Sequence, residues 1–291
     1  MKTVFIVGQH RTGSTLLRNM LHAHSDICMA FDEMNLFEPF RKNTLDRILD
    51  QREITGNRVI ELITAGEVYG TFWKEFLLSG IGVTELQVKL KMYNKVSADI
   101  VLNIILGLLH EKHGTRYVGV KYPLHVSRTA SLDQWFPGCK VIFITRNPKA
   151  IVASKLNDPA TKIRKKKSIF HQFGIHYFTL LYFSFEFRKS VSIYFSNKNH
   201  LHLVSYEDLI SRKQYVLTSI CNFCGIDFED GMMCVSGKQS SFNSENDFAA
   251  VGMGRNPDAY KRKLSRFDQW LIGMLTDNSF KKLKDEFSIN L

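Results

Sequence analysis

The sequence predicts an α/β fold of three layers, a central and mostly parallel sheet flanked by helices, on three observations. Short runs rich in β-branched and aromatic residues alternate with segments of helical period, the pattern of βαβ units. The first such run ends in a glycine-bounded loop that opens a helix. Hydrophobic residues make up 44% of the chain and charged residues 23%, a balance that supplies one large core and excludes a disordered chain. A single domain over residues 1–291 is expected, with a helical insertion at roughly 46–113.

Thr3 to Gly8 reads as the first strand; its apolar core, Val4 to Val7, is too short for a signal peptide and has no small-residue cleavage site. The loop Gly8-Gln9-His10-Arg11-Thr12-Gly13-Ser14-Thr15 then differs from the triphosphate-binding pattern G-x-x-x-x-G-K-[ST]. Ser14 stands in the lysine position and Arg11 lies inside the loop. Leu16, Leu17, Met20 and Leu21 recur at helical spacing, so a helix opens near Ser14. The backbone N–H groups of Thr12, Gly13, Ser14 and Thr15 converge at its start, where orphan donors and the helix dipole favour an anion.

Ile27 to Ala30 is the second strand, followed by the acids Asp32, Glu33 and Glu38. Asp46 to His113 carries no clear strand. Its most apolar run, Ile100 to Leu109, is broken by Asn103 and Gly107 and falls short of the roughly 18 residues of a membrane span, so a cytoplasmic protein is expected. Arg116 to Lys121, Lys140 to Thr145 and Leu201 to Ser205 complete the strands. Asn147 is a good N-cap and Pro148 a good first helical residue. Another helix begins near Ser211, and the last turns fall between Arg266 and Phe287.

Thirty-nine Lys and Arg against 28 Asp and Glu leave a formal charge of +11, which favours an anionic partner. Five cysteines without a secretory context point to free thiols in a reducing compartment. Cys221-Asn222-Phe223-Cys224 has no second pair and sits in an amphipathic stretch ending at Gly225, so both cysteines read as helix residues rather than ligands. The remaining histidines show no ligand spacing, and no metal is expected. Lys162 to Lys167 leads into an aromatic segment reaching Phe187; the pair reads as a solvated basic loop before a core helix, or as a membrane-surface element or substrate lid.

A triphosphate site also needs a carboxylate near the loop to hold Mg²⁺, but the strand Val141 to Thr145 ends in Arg146-Asn147-Pro148. Arg146 at a helix start, with Ser154 about two turns on, makes a second anion site without metal. Two such sites imply a nucleotide with two separated phosphate-like groups. A divergent ATP-using P-loop kinase is the alternative enzyme, disfavoured by the absent lysine and metal carboxylate. A basic protein for RNA or anionic membranes is the other class, and the chain lacks the aromatic-basic interleaving of single-strand binders, so no nucleic-acid partner is expected.

Arg11-Thr12-Gly13-Ser14-Thr15-Leu16-Leu17 resembles the 5′-phosphosulfate loop of PAPS-dependent sulfotransferases, where PAPS is 3′-phosphoadenosine 5′-phosphosulfate. Val141 through Arg146-Asn147-Pro148 to Ser154 resembles their 3′-phosphate motif. His24-Ser25-Asp26-Ile27, Val120-Lys121-Tyr122-Pro123 and Ser205-Tyr206-Glu207-Asp208-Leu209 are similar to the bacterial and Golgi branches. The resemblance implies a P-loop NTPase-like fold, PAPS as sulfuryl donor, its desulfated product PAP, and transfer to a hydroxyl, less readily an amine, of a small-molecule, carbohydrate, lipid or peptide acceptor. It implies that Arg11 and Lys121 face the leaving phosphate, that Arg146 and Ser154 hold the 3′-phosphate, and that Arg255, Lys261 and Arg262 form a late basic loop over the nucleotide. Tyr260 stands where that loop often carries tryptophan. Glu33 is the favoured base, placed where tyrosylprotein and related sulfotransferases keep a glutamate; Asp32, Glu38 and His125 are rivals. Peripheral membrane contact through 162–187 is the further expectation.

Overall fold

The computed structural model describes residues 1–30, 33, 36, 42–51, 54–70, 73, 83–158, 161–162, 169–234 and 257–289. Five strands form one sheet: β1 (Lys2–Gly8), β2 (Ile27–Met29), β3 (Tyr117–Tyr122), β4 (Lys140–Thr145) and β5 (Leu201–Ser205), in the order β2-β3-β1-β4-β5. Every pairing is parallel, with Ile6 beside Lys121 on one side and Ile142 on the other. A parallel sheet must be covered on both faces; β3 is correspondingly buried throughout, and β1 and β4 are buried beyond their first residues.

Period-two alternation divides each strand between two cores. Val4, Ile6, Ile142 and Ile144 pack with Leu17, Met20 and Leu21 of α1 (Ser14–His22) and with Val216, Leu217 and Ile220. Phe5, Val7, Val118, Val120, Val141 and Phe143 turn to the opposite face. That face is covered by α2 (Leu45–Gln51), α3 (Gly56–Thr64), α4 (Val83–Leu90), α5 (Ala98–His113), α7 (Pro148–Leu156), α8 (Ile169–Asn197) and α12 (Arg266–Ile289). The short α6 (Thr129–Trp135) follows a 3₁₀ turn over Pro123–Arg128. The described residues between 46 and 113 are helical or irregular.

The helix expected near Ser211 is present from Lys213, and a further short helix precedes it. Ser205 caps the end of β5 by accepting from the Asp208 N–H at 3.3 Å, so α9 (Tyr206–Ser211) begins directly at the strand end. Arg212, at φ −131°, interrupts it, and α10 (Lys213–Cys224) carries on to the glycine cap at Gly225. Strand β3 also lies one residue later than the sequence pattern places it, ending at Tyr122. A last short helix, α11 (Tyr260–Lys263), precedes α12.

The chain leaves β1 toward the β2 edge and, after β3, crosses to the other side of β1 for β4 and β5. In open parallel sheets, ligands bind outside the carboxyl ends of the strands at such a switch point. The loop after β1, Arg146 after β4, Tyr206 after β5, Lys121 near the end of β3 and Glu33 beyond β2 all meet at this edge.

Candidate active site

Gly13 is the N-cap of α1 at φ 93°, a left-handed conformation, and no side chain caps the helix. Gly13 itself therefore offers no side chain to the first amides of α1, the donors that an anion at a helix start meets. A β-carbon on Gly13 would lie 2.3 Å from the Tyr206 ring, so a side chain has no room there. Arg11 is the only non-glycine among the described residues with positive φ, at 71°, a strain of order 1 kcal/mol of the kind that collects at ligand sites. Thr12 closes the turn by donating to the Gln9 carbonyl at 2.8 Å, and Gln9 ties the loop to α8 by donating to the Phe183 carbonyl at 2.8 Å.

The two motifs read from the sequence form one surface. Arg11 Nε donates to Ser154 Oγ at 3.0 Å, and Arg146 Nη1 donates to the Arg11 carbonyl at 3.2 Å. Arg146 lies over the Tyr206 ring at 4.2 Å from its centroid, a cation–π contact that fixes the guanidinium. Pro148 opens α7, and Asn147 caps it by accepting from the Lys149 N–H at 3.0 Å. The Asn147 N–H itself donates to the Glu207 carboxylate at 3.0 Å. Tyr206 and Glu207 therefore position the arginine turn from β5, a role their place in the sequence did not announce.

Lys121 is on the α1-facing side of β3 and is 4% exposed. Its Nζ donates to Thr15 Oγ1 at 3.1 Å and pairs with Glu33 Oε1 at 2.8 Å. A buried ammonium between the helix start and a carboxylate is the central electrostatic feature of the edge. Arg18, itself buried, holds the end of β2 by donating to the Ala30 carbonyl at 2.9 Å, close to where the chain departs toward Glu33. Half-buried His10 has its pKa pushed down, chiefly by burial and further by Lys155, Lys121 and Arg11, against the opposing pull of Glu33. Sequence reasoning passed over His10 because it matches no motif position; its place between the loop glycines was the available signal.

Lys261 and Arg262 lie exposed on α11, and Lys261 pairs with Asp258 at 2.8 Å. Asp32, Glu38, Arg255 and residues 163–168 lie outside the described residues, as does the side chain of His125. A cavity of about 520 Å³ between α7 and α12 is lined by Lys149, Gln269, Trp270, Gly273, Met274 and Asp277, none of them singled out from the sequence. Among the described residues no group of three His, Cys, Asp or Glu side chains is arranged to hold a metal ion. Burial pushes the Cys221 and Cys224 thiols up to about 11 and about 12, as expected of inert helix residues.

A model of the sulfotransferase family matches residues 3–230. Among curated proteins none matches the chain in sequence. Among solved structures, the sulfotransferase domain from the Synechococcus PCC 7002 olefin synthase is 21% identical, covering 94% of each chain with a TM-score of 0.57. The sulfotransferase domain from the curacin biosynthetic pathway is 22% identical, covering 90% of this chain and 86% of that one with a TM-score of 0.53. Sulfotransferase STF9 from Mycobacterium avium is 10% identical, covering 97% of this chain and 76% of that one with a TM-score of 0.50. These structures share the α/β fold.

Proposed function

The chain belongs to the sulfotransferase family, and from that premise we propose that it moves a sulfuryl group from PAPS to an acceptor hydroxyl. The observation that carries the reading is the placement of one buried lysine, Lys121, within hydrogen-bond reach of both the helix-start hydroxyl of Thr15 and the carboxylate of Glu33. The residues suit a doubly anionic nucleotide: three cations, Arg11, Lys121 and Arg146, and an uncapped helix N-terminus share one sheet edge.

When bound, the donor supplies the sulfuryl group, its bond to the phosphate oxygen breaking as the acceptor oxygen bonds to sulfur. The loop amides and Arg11 hold the 5′ end, and Arg146 with Ser154 holds the 3′-phosphate. Lys121 neutralises charge that develops on the bridging oxygen, a contribution larger in a water-poor site than in bulk solvent. Glu33 accepts the acceptor's proton at its carboxylate, and Lys121 keeps that carboxylate oriented. Arg255, Lys261 and Arg262 supply the late cationic cover. Asp32, Glu38 and His125 are the other bases within this reading, and amines are less suitable acceptors.

Formation of PAP from PAPS, followed across a panel of alcohol acceptors, tests the proposal. Glu33→Gln should lower turnover by about 10²–10⁴-fold, the usual contribution of a general base, while the affinity for PAP stays within about twofold. Unchanged turnover would remove Glu33 as the base and move the role to Asp32, Glu38 or His125.

A further inference from the structure

The helix layer on the second face of the sheet turns a broad apolar face to solvent. On α8, Phe173, Phe178, Leu181 and Phe185 are 63%, 65%, 39% and 52% exposed, while Leu180, Phe183 and Phe187 of the same helix are buried. The helix is apolar on opposite sides, and only one side meets the core. On α12, Phe267, Trp270 and Met274, spaced i, i+3 and i+7, are 53%, 58% and 63% exposed.

Tyr177 joins the two stripes. It stacks on Phe173 with ring centroids 6.4 Å apart and meets Phe267 edge-on at 6.4 Å, and Phe267 leans on Trp270 at 5.7 Å. The His176–Asp268 contact at 3.0 Å fastens the helices directly beneath. Cations border the face: Arg188 and Lys189 follow Phe185, and Lys263 and Arg266 precede Phe267, all four exposed. Glu186 is the one acid in sequence between Ile169 and Asn197.

Scattered apolar residues on a surface need no explanation, but a joined aromatic face marks an interaction site. Rings and a thioether bordered by more arginine and lysine than acid, with the exposed Asp277 on the same stripe of α12 paired to Lys149 at 3.9 Å, match the boundary of an anionic bilayer, where rings enter the headgroup layer and cations stay among the phosphates. We propose that α8 and α12 seat this protein on an anionic membrane surface. Charge complementarity selects this occupant over a second copy, because a self-association would bring the bordering cations of both copies together. The contact is peripheral, since no helix among the described residues is long and apolar enough to cross a membrane. It does not depend on the identity of the sulfuryl donor.

Flotation of the full chain with vesicles of phosphatidylcholine alone, and of equimolar phosphatidylcholine and phosphatidylglycerol, tests this. Binding is expected on the anionic vesicles only and weakens with added salt. Trp270 is exposed while Trp73 is buried and Trp135 half-buried, so its emission should shift to the blue on binding. The double variant Phe178→Ser, Phe185→Ser should bind at least about tenfold more weakly, as expected for lost ring burial, and should melt at the parent temperature. Failure to bind anionic vesicles, equal binding to neutral ones, or undiminished binding by the variant overturns the proposal. A dimer in solution that the double variant dissociates would assign the face to a second copy and overturn it as well.

Discussion

Lys121 divides its N–H donors between Thr15 and Glu33 from a position that is 4% exposed. An ammonium so far out of water is retained only with partners, and removing one of a buried pair typically costs about 3–5 kcal/mol. Glutamine at position 33 keeps an acceptor oxygen for Lys121, which makes it a better probe of chemistry than alanine. His10 stands beside this pair, and its proton affinity follows from the same burial. Folding depresses the pKa of His10, and that of His202 through burial, below the ordinary value of 6.5. Both groups then bind protons in the unfolded chain that the folded chain refuses, so stability rises with pH through this window and is lost as pH falls below about 6.5. Thermal unfolding should therefore come at lower temperature at pH about 5 than at about 7.5, and His202→Gln should remove part of the difference. A melting temperature unchanged over that window would contradict the assigned burial.

At the scale of elements, the β1–loop–α1 unit rests on local chemistry. A strand run, two glycines and a helical period lie within about twenty residues, and all were legible in the sequence. The same holds for Asn147-Pro148 at the start of α7, because capping is decided by adjacent residues. Gly13 shows where local and tertiary demands meet. Gly13→Ala must hold alanine at φ 93° and drive a methyl group to 2.3 Å from the Tyr206 ring, at a cost of about 2–4 kcal/mol from strain and overpacking. Gly114→Ala, at φ 63° with nothing within 4 Å of the added carbon, should cost only about 1 kcal/mol. Chemical denaturation of the two variants checks the contrast, and equal losses would refute the role given to Tyr206. Helix α8 was harder to read. Its aromatic run marks it as apolar without saying which side meets the sheet, so the outward arc of Phe178 and Phe185 depends on packing that no periodicity within one segment reports. The short α9 was not anticipated because Ser205 serves as both the last strand residue and a helix cap.

Across the whole molecule, the strands were recognisable one by one, but their order was not. Arg11 meets Ser154 only because β1 pairs with β4, and Lys121 reaches Thr15 only because β1 also pairs with β3. Central placement of β1 brings residues more than a hundred positions apart to one edge, and it accounts for a site built from short motifs at distant points in the chain. Positioning residues such as Tyr206, Glu207 and Arg18 become visible only in that assembly, since each acts through a neighbour from another strand. If the edge holds a nucleotide with phosphate groups at both ends of its ribose and no metal, one experiment addresses it directly: calorimetric titration with adenosine 3′,5′-bisphosphate in the presence of a chelator, and with ATP plus Mg²⁺, on the parent chain and on Arg146→Ala. Metal-independent binding of the bisphosphate, weakened at least about a hundredfold by loss of the charge-assisted arginine contacts, is the predicted result. Binding of ATP with Mg²⁺ and not of the bisphosphate would contradict the account.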